Sequence, residues 1–314
     1  MRTVFLDKAS LPVPFAPPRC ASTYVEHPRT GAKDLARRLA GATIAITNKA
    51  PLRAAVLAQL PELRLIAVAA TGYDCVDVDY CREHGIAVIN VRDYAVHSVP
   101  EHVFTLLLAL RRNLERYAAL ATGGDWQRSE QFCVYGPPIH DLHGSLLGIV
   151  GGGSIGRATA AIGAAFGMRV VFAASPSQRS GNAGRKPLRE LLAEADVVSL
   201  HCPLTAATRG MISTAELLGM KRHAILINTA RGGLVDEAAL AGALRAGWIA
   251  GAGFDVLAVE PPAAGNALLE LRQPNFILTP HIAWASTEAM KSLADQLTAN
   301  IDAWAQGAPS NLVT

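Results

Sequence analysis

At 314 residues the chain is long for one domain, and half of its residues are hydrophobic, so two domains with sizeable cores are expected. The formal net charge of +3 is small for this length and is not gathered into a basic block, which argues against a nucleic-acid partner. Scattered cysteines, with no signal-like or membrane-spanning apolar run, predict a cytoplasmic protein with reduced thiols, no bound metal and no membrane partner.

The first ninety or so residues alternate short apolar runs with helical segments. Strands are predicted at residues 3–6, 23–26, 43–47, 65–69 and 86–90, with helices at 34–39, 52–60 and 76–84 between them. This alternation is typical of a parallel sheet whose faces are covered by helices. The first part of the chain is therefore expected to form an α/β domain.

A long helix over residues 98–120 is predicted to leave this domain, with Ser98 as its N-cap, and residues 126–142 are expected to form a loop. A second series of strands is predicted at 146–150, 168–173, 197–200, 225–229, 250–256 and 276–278, before an amphipathic helix at 286–306. The two long helices indicate two crossovers. The predicted fold is α/β with two Rossmann-like or flavodoxin-like parallel-sheet domains. A dinucleotide-binding domain (98–285) is inserted in a substrate-binding domain (1–97 plus 286–314), with a cleft between them.

Residues 146–156 carry the strongest local motif. They read L-L-G-I-V-G-G-G-S-I-G, an apolar strand that runs into G-x-G-x-x-G with Gly151, Gly153 and Gly156 in the three glycine positions. In this motif the first glycine makes a tight turn, the second lets the backbone approach a pyrophosphate, and the third packs the helix on the strand. Because a strand precedes the motif and an alanine-rich helix follows it, the sequence predicts dinucleotide binding.

Three polar side chains follow predicted strands in the second half of the chain. They are Arg231, Glu260 and His281, and each stands where a strand gives way to a loop. An arginine that holds a carboxylate, a histidine that transfers a proton and a carboxylate that orients the histidine would suit proton transfer beside an anionic substrate. Taken singly, such residues are more often a surface or helix-end arginine, a solvated loop glutamate and a histidine in a turn.

Six short segments, taken together, are more specific than any one of these residues. They are T-G-Y-D at 71–74, S-V-P-E at 98–101, H-C-P-L-T at 201–205, N-T-A-R-G-G-L-V-D-E at 228–237, G-F-D-V at 253–256 followed by E-P at 260–261, and T-P-H-I-A at 279–283. In this order they resemble the D-isomer-specific 2-hydroxyacid dehydrogenases, and the resemblance covers essentially the whole chain.

The resemblance implies a role for each matched residue. His281 would be the general acid in keto-acid reduction, Glu260 would pair with it, and Arg231 would bind the carbonyl and carboxylate oxygens of the substrate. The substrate site would also include Thr71 and Gly72, whose backbone N–H groups would hold the carboxylate, and Trp284, which either shapes the pocket or packs between domains. Asp255 would contact the nicotinamide carboxamide. The remaining residues expected at the cofactor are Ser98, Ser154, Ile155, His201, Cys202, Pro203, Thr229, Ala230, Ala283 and His281 itself.

The choice between NAD and NADP depends on the end of the second strand of the glycine-loop domain. NAD-binding proteins of this fold usually place a carboxylate there, about twenty residues past the glycines, to bind the ribose hydroxyls. Ala174 stands in that place. Ser175 and Arg179 follow it and would donate to a 2′-phosphate, with Arg185 and Lys186 as further candidates, so the sequence favours NADP over NAD. The alternative is a solvated basic loop beside NAD.

Within the family, residues 132–139 and 281–286 resemble the glycerate dehydrogenase (hydroxypyruvate or glyoxylate reductase) branch. That resemblance implies a small 2-keto acid as substrate and a homodimer in which residues 126–142 form an arm. Two alternatives remain open at this point. One is a dinucleotide-sensing binding protein of the corepressor type, and the other is a short phosphoglycerate dehydrogenase.

Overall fold

The computed structural model describes residues 1–174 and 184–314. These residues form two compact units, Met1–Tyr94 together with Ala285–Thr314, and Ala95–Trp284. Both ends of the chain belong to the first unit, whereas the second unit is one continuous segment. The second unit is therefore inserted in the first, as the pattern of crossovers predicts.

The first unit is built on a parallel sheet of short apolar strands. Its described strands pair in the order β2-β1-β3-β4-β5, which is the flavodoxin-like order. The strands are β1 (Arg2–Phe5), β2 (Thr23–Glu26), β3 (Ile44–Thr47), β4 (Leu65–Val68) and β5 (Ala87–Ile89). The helices are α1 (Leu35–Leu39), α2 (Ala54–Leu57), α3 (Val78–Glu83) and α10 (Thr287–Ala305). Every residue of the central strands β3 and β4 is buried, which explains why both read as continuous apolar runs.

The second unit is a larger parallel sheet. Its strands pair in the order β11-β10-β9-β8-β6-β7 in the described part of the chain, and Lys186 makes one further parallel pair with Ala173 beyond the edge strand β7. With that single pair counted as the third strand, this is the Rossmann order 3-2-1-4-5-6 with one strand added. The strands are β6 (Leu146–Val150), β7 (Arg169–Phe172), β8 (Val197–Leu200), β9 (Ile225–Asn228), β10 (Gly251–Phe254) and β11 (Phe276–Leu278).

The helix predicted over residues 98–120 is two helices, so the prediction of one helix is wrong. Helix α4 covers Ser98–Arg111 and α5 covers Leu114–Thr122. Asn113, between them, has a φ of 50° in the left-handed region, which interrupts the helical hydrogen bonding. Asparagine is among the few residues that tolerate this conformation, but the apolar spacing continues across the break and hides it.

The remaining helices of the second unit cover the faces of its sheet. They are α6 (Ser154–Ala165), α7 (Leu188–Glu194), α8 (Thr214–Gly219) and α9 (Glu237–Ala246). Asp236 caps α9 by accepting hydrogen bonds from the N–H groups of Ala238 and Ala239, each at 3.0 Å. In the part of the chain that the structure describes, no helix has both the length and the apolar character needed to cross a bilayer.

Candidate active site and cofactor cavity

The glycine loop turns sharply between β6 and α6. Gly151 has a φ of 114°, and a Cβ built on it would lie 2.5 Å from the carbonyl carbon of His201. A Cβ on Gly156 would overlap the carbonyl oxygen of Gly151. No described atom lies within 4 Å of a Cβ built on Gly153, which precedes the first residues of α6, Ser154 and Ile155. The first and third glycines are thus required by close backbone approach, and the second leaves open space in front of the helix N-terminus.

A cavity of about 450 Å³ lies at this loop. It lies at the carboxyl ends of the neighbouring strands β6 and β8, where the strand order of the sheet changes direction, and in open α/β sheets ligands bind at such switch points. Its walls come from the segments after β6, β7 and β8 and from α7, and they are lined by Val150, Gly151, Gly152, Gly153, Ala173, Ala174, Arg185, Leu188, His201, Cys202, Pro203, Thr208 and Met211. A nucleotide-sized cavity beside an open glycine loop fits a dinucleotide.

His201 is a neutral polar group in the wall of this cavity. Its Nε2 lies 2.9 Å from the Ser199 hydroxyl, and burial of the ring lowers the pKa of His201 to about 4. Burial also raises the pKa of the neighbouring Cys202 thiol. Neither side chain is charged at neutral pH, so this part of the wall contains no histidine cation.

Two further predicted cofactor residues, Thr229 and Ala230, directly follow β9. The N–H of Ala230 donates to Asn228 Oδ1 at 3.1 Å, which folds the chain back at the strand end. The Thr229 hydroxyl is buried and has no hydrogen-bond partner among the described residues. A buried hydroxyl without a partner is costly, and a ligand that bonds to it would remove this cost.

Arg185 is the basic residue that lines the cavity beside Ala174. The N–H of Ala174 donates to the carbonyl of Lys186 at 2.7 Å, which places Arg185 next to the end of β7. Its guanidinium lies over the Phe172 ring, 5.8 Å from the centroid, and one of its nitrogens lies 2.6 Å from where a Cβ on Gly152 would be. Ser175 and Arg179, the first candidates from the sequence, lie outside the described residues.

The three predicted catalytic side chains follow three adjacent strands, because Arg231 comes after β9, Glu260 after β10 and His281 after β11. His281 Nδ1 lies 2.5 Å from Glu260 Oε2, and both side chains are about one-third exposed. Arg231 Nη1 donates to the carbonyl of Ala230 at 2.7 Å, which ties the guanidinium to its own loop. The His281–Glu260 pair leaves Nε2 as the ring nitrogen available for proton transfer.

The loop that carries Glu260 is held by the loop that carries Arg231. A Cβ on Gly232 would overlap the backbone of Leu257 and Ala258, so the two loops touch main chain to main chain. The carboxylate of Glu237 accepts hydrogen bonds from the N–H of Ala258 at 2.6 Å and from Asn266 Nδ2 at 2.7 Å. Neither Glu237 nor Gly232 has a role that its residue type alone predicts, although both lie within the motif at 228–237.

His281 has a φ of 57°, in the left-handed region, and its segment is held by Asp255. The Asp255 side chain is fully buried, and its oxygens accept hydrogen bonds from the N–H groups of Ile282 at 2.9 Å and Ala283 at 2.8 Å. Trp284 Nε1 donates to the carbonyl of His281 at 3.1 Å. Asp255 therefore holds the segment around His281, while contact with a nicotinamide carboxamide remains a prediction for it, as a pocket-shaping role does for Trp284.

Ser98 is not the N-cap of α4, and that prediction is wrong. His97 occupies the cap position, and Ser98 is the first helical residue. The Ser98 hydroxyl instead donates to the carbonyl of Ala283 at 2.6 Å. A polar side chain at a helix start satisfies the sequence pattern of a cap in either position, so the pattern cannot separate the two.

Thr71 and Gly72 lie in the first unit, shortly after β4. The Thr71 hydroxyl donates to the carbonyl of Val91 at 2.8 Å, and Asn90 Nδ2 donates to the carbonyl of Thr71 at 2.8 Å. These contacts order the turn through its side chain and its carbonyl. The predicted role of the two backbone N–H groups, binding a substrate carboxylate, remains a prediction.

Comparisons with known proteins agree with this geometry. Residues 104–283 match the family model described as "D-isomer specific 2-hydroxyacid dehydrogenase, NAD binding domain". The chain is 49% identical to a glycerate dehydrogenase of Methylorubrum extorquens over 99% of this chain and 98% of that one. It is 36% identical to a hydroxypyruvate reductase of Blautia hydrogenotrophica over 90% of this chain and 88% of the other.

A solved structure extends the likeness to the whole fold. The NADPH-dependent glyoxylate/hydroxypyruvate reductase of Sinorhizobium meliloti superposes with a TM-score of 0.83 at 28% identity, over 100% of this chain and 98% of that chain. The sequence relatives and this structure all cover nearly the full length of the chain. The likeness therefore includes both units and every segment on which the resemblance was based.

Proposed function

Because the chain belongs to the D-isomer specific 2-hydroxyacid dehydrogenase family, we propose that it reduces a small 2-keto acid, hydroxypyruvate or glyoxylate, to D-glycerate or glycolate. Membership makes it an oxidoreductase that acts on the CH–OH group of 2-hydroxy acids with a nicotinamide dinucleotide. The observation that carries the proposal is the His281–Glu260 pair at 2.5 Å, beside the strand that leads to Arg231. The substrate class is taken from the relatives, whose names include glycerate dehydrogenase and hydroxypyruvate reductase.

The proposed mechanism assigns one task to each of the three side chains. When bound at the glycine loop, a reduced nicotinamide dinucleotide would supply the hydride for the carbonyl carbon. Arg231 binds the carboxylate and carbonyl oxygens of the keto acid and stabilises the negative charge that develops on the carbonyl oxygen. His281 Nε2 gives a proton to that oxygen, while Glu260 holds Nδ1–H and keeps the ring in the required orientation.

The test is the loss of reduced-nicotinamide absorbance with purified protein. NADPH and NADH are each combined with hydroxypyruvate, glyoxylate, pyruvate and 3-phosphohydroxypyruvate. We expect fast oxidation with hydroxypyruvate or glyoxylate, with the D isomer as the hydroxypyruvate product. Turnover restricted to 3-phosphohydroxypyruvate would identify a short phosphoglycerate dehydrogenase, and dinucleotide binding without turnover of any keto acid would favour a sensor.

We further propose that NADPH is preferred over NADH. Because residue 174 is an alanine, there is no carboxylate at this position to repel a 2′-phosphate. Arg185 lines the cavity at the end of the same strand. The cation–π contact with Phe172 and the backbone pairing of Ala174 with Lys186 fix the guanidinium in that wall. A fixed arginine recognises a phosphate more favourably than a mobile one, because less side-chain entropy is lost on binding.

Arg185→Ala should raise the KM for NADPH by about ten- to hundredfold, since a charge-assisted contact to the phosphate is lost. The KM for NADH should change by less than about twofold. Arg189→Ala is the matched control, because Arg189 is an exposed arginine of α7 that does not line the cavity. Equal losses with both cofactors would place Arg185 on the shared pyrophosphate and contradict the preference.

We also propose a cytoplasmic homodimer that uses the segment between α5 and β6. Phe132 is 89% exposed and Tyr135 is 83% exposed, although the segment is ordered by hydrogen bonds such as that from Trp126 Nε1 to the carbonyl of Phe132 at 2.9 Å. Ordered and exposed aromatic side chains are typical of protein interfaces.

A Phe132→Ser/Tyr135→Ser variant should therefore sediment as a monomer at micromolar concentration, whereas the wild-type chain should sediment as a dimer. Leu218→Ser is the control, because it removes another exposed apolar side chain, which lies on α8 outside this segment. A wild-type chain that sediments as a monomer, or a double variant that remains dimeric, would contradict the assignment of this segment.

A further inference from the structure

Helix α4 contacts both ends of the segment that carries His281. At one end, the Ser98 hydroxyl donates to the carbonyl of Ala283 at 2.6 Å. At the other end, His102 Nε2 lies 2.9 Å from the hydroxyl oxygen of Thr279. Ser98 and His102 are four residues apart, so they lie on the same face of α4, one turn from each other. Segment 279–283 is thus held at both ends by side chains of α4.

The hydrogen bonds around Thr279 have a fixed direction. The Thr279 hydroxyl donates to Asp255 Oδ1 at 2.5 Å, because a carboxylate only accepts. Its oxygen is then the acceptor toward His102, so His102 carries a proton on Nε2. The same His102 nitrogen lies 3.7 Å from Asp255 Oδ1. His102, Thr279 and Asp255 thereby form one ordered chain of donors that ends on a fully buried carboxylate.

The Asp255 carboxylate also accepts hydrogen bonds from the backbone around His281. The other contacts of the Asp255 carboxylate are the N–H groups of Ile282 and Ala283, which directly follow His281. His281 itself has a φ of 57°, a conformation that costs free energy and persists only where neighbouring contacts impose it. The contacts from α4 and Asp255 therefore impose the backbone conformation that aims the imidazole at Glu260.

We propose that Ser98 and His102 are positioning residues for the reduction, which hold segment 279–283 so that His281 is aligned for proton transfer. The proposal rests on the proposed role of His281. Neither residue needs to touch the substrate. The His102 side chain is 17% exposed and Ser98 is half-buried, and both direct their polar atoms to the segment. A displacement of a catalytic group by about 1 Å is enough to cost two orders of magnitude in rate.

His102→Leu tests the proposal, with His102→Gln as the matched variant. Glutamine places an amide N–H near the position of the imidazole Nε2, so it can still donate to Thr279. We expect His102→Leu to lower kcat by about tenfold or more, with KM and the cofactor Kd within about twofold of wild type. His102→Gln should restore most of the rate. Thr105→Ala, on an exposed position of the same helix, should have no effect.

Ser98→Ala is an independent test, because it removes one hydroxyl at the other end of the segment. It should lower kcat by about three- to tenfold and leave the KM for the keto acid within about twofold of wild type. Each variant is then combined with His281→Asn. If α4 acts through His281, the combined variants should be no slower than His281→Asn alone, because the aligned group is already gone.

The outcomes separate this proposal from the proposed function. A wild-type rate for His281→Asn would overturn the role of His281. If His281→Asn is inactive but His102→Leu and Ser98→Ala keep kcat within about twofold, the positioning role is wrong. It is also wrong if His102→Leu lowers the residual rate of His281→Asn, or if His102→Gln is as slow as His102→Leu.

Discussion

His281→Asn should lower kcat by about a thousandfold, because it removes the group proposed to protonate the substrate oxygen. Asparagine is the informative replacement for two reasons. It tolerates the left-handed backbone that His281 adopts, with a φ of 57°, so the segment need not rearrange. Its amide N–H also lies near the position of the imidazole Nδ1, so it can still donate to Glu260 while Nε2 is absent. Steady-state reduction of hydroxypyruvate measures the loss.

Cofactor binding provides the control within the same variant. The glycine loop and the cavity walls do not include His281, so the Kd for NADPH should stay within about twofold of wild type by fluorescence titration. His84→Asn, at an exposed histidine of the first unit, should leave both kcat and binding unchanged. If His281→Asn loses cofactor affinity in proportion to its rate, the imidazole belongs to the cofactor site rather than to proton transfer.

The placement of the site could be predicted from the sequence because it follows from local pattern. Parallel strands of one sheet end at the same edge, so residues that follow successive strands share that edge whatever their distance in sequence. Arg231, Glu260 and His281 each follow a short apolar run, and in the structure they follow the adjacent strands β9, β10 and β11. The pairing of Glu260 with His281 was implied by the family resemblance, because strand-end position alone does not set a distance.

The supports of the site could not be predicted, because they depend on side chains that meet across the fold. Asp255 and Ile282 are distant in sequence, and nothing in either segment shows that one accepts a hydrogen bond from the other. Ser98 illustrates the same limit. Its position at the start of a helix indicates a cap, whereas its hydroxyl is used for Ala283 in another segment. Local propensity identifies an element, and tertiary contacts decide what its polar groups bind.

Gly232 shows how a motif residue can be essential without chemistry of its own. Two successive glycines after Arg231 indicate a flexible loop in the sequence, but the two positions are not equivalent in the structure. A Cβ on Gly232 would overlap backbone atoms of Leu257 and Ala258, which cannot move without displacing the loop that carries Glu260. A Cβ on Gly233 would lie 3.1 Å from the end of the Leu204 side chain, which can rotate away. The structure therefore provides a matched pair of substitutions that differ by one position.

Gly232→Ala should lower kcat/KM by at least about a hundredfold, because relief of the overlap separates the loops of Arg231 and Glu260. Gly233→Ala should remain within about threefold of wild type, since only a flexible side chain must adjust. Both are measured as hydroxypyruvate reduction together with NADPH binding, and Gly232→Ala should still bind NADPH because the glycine loop is untouched. If the two variants were equally active, the main-chain contact at Gly232 would not be needed to hold the catalytic loops together. If Gly232→Ala lost NADPH binding as well, the contact would support the whole unit rather than the catalytic geometry.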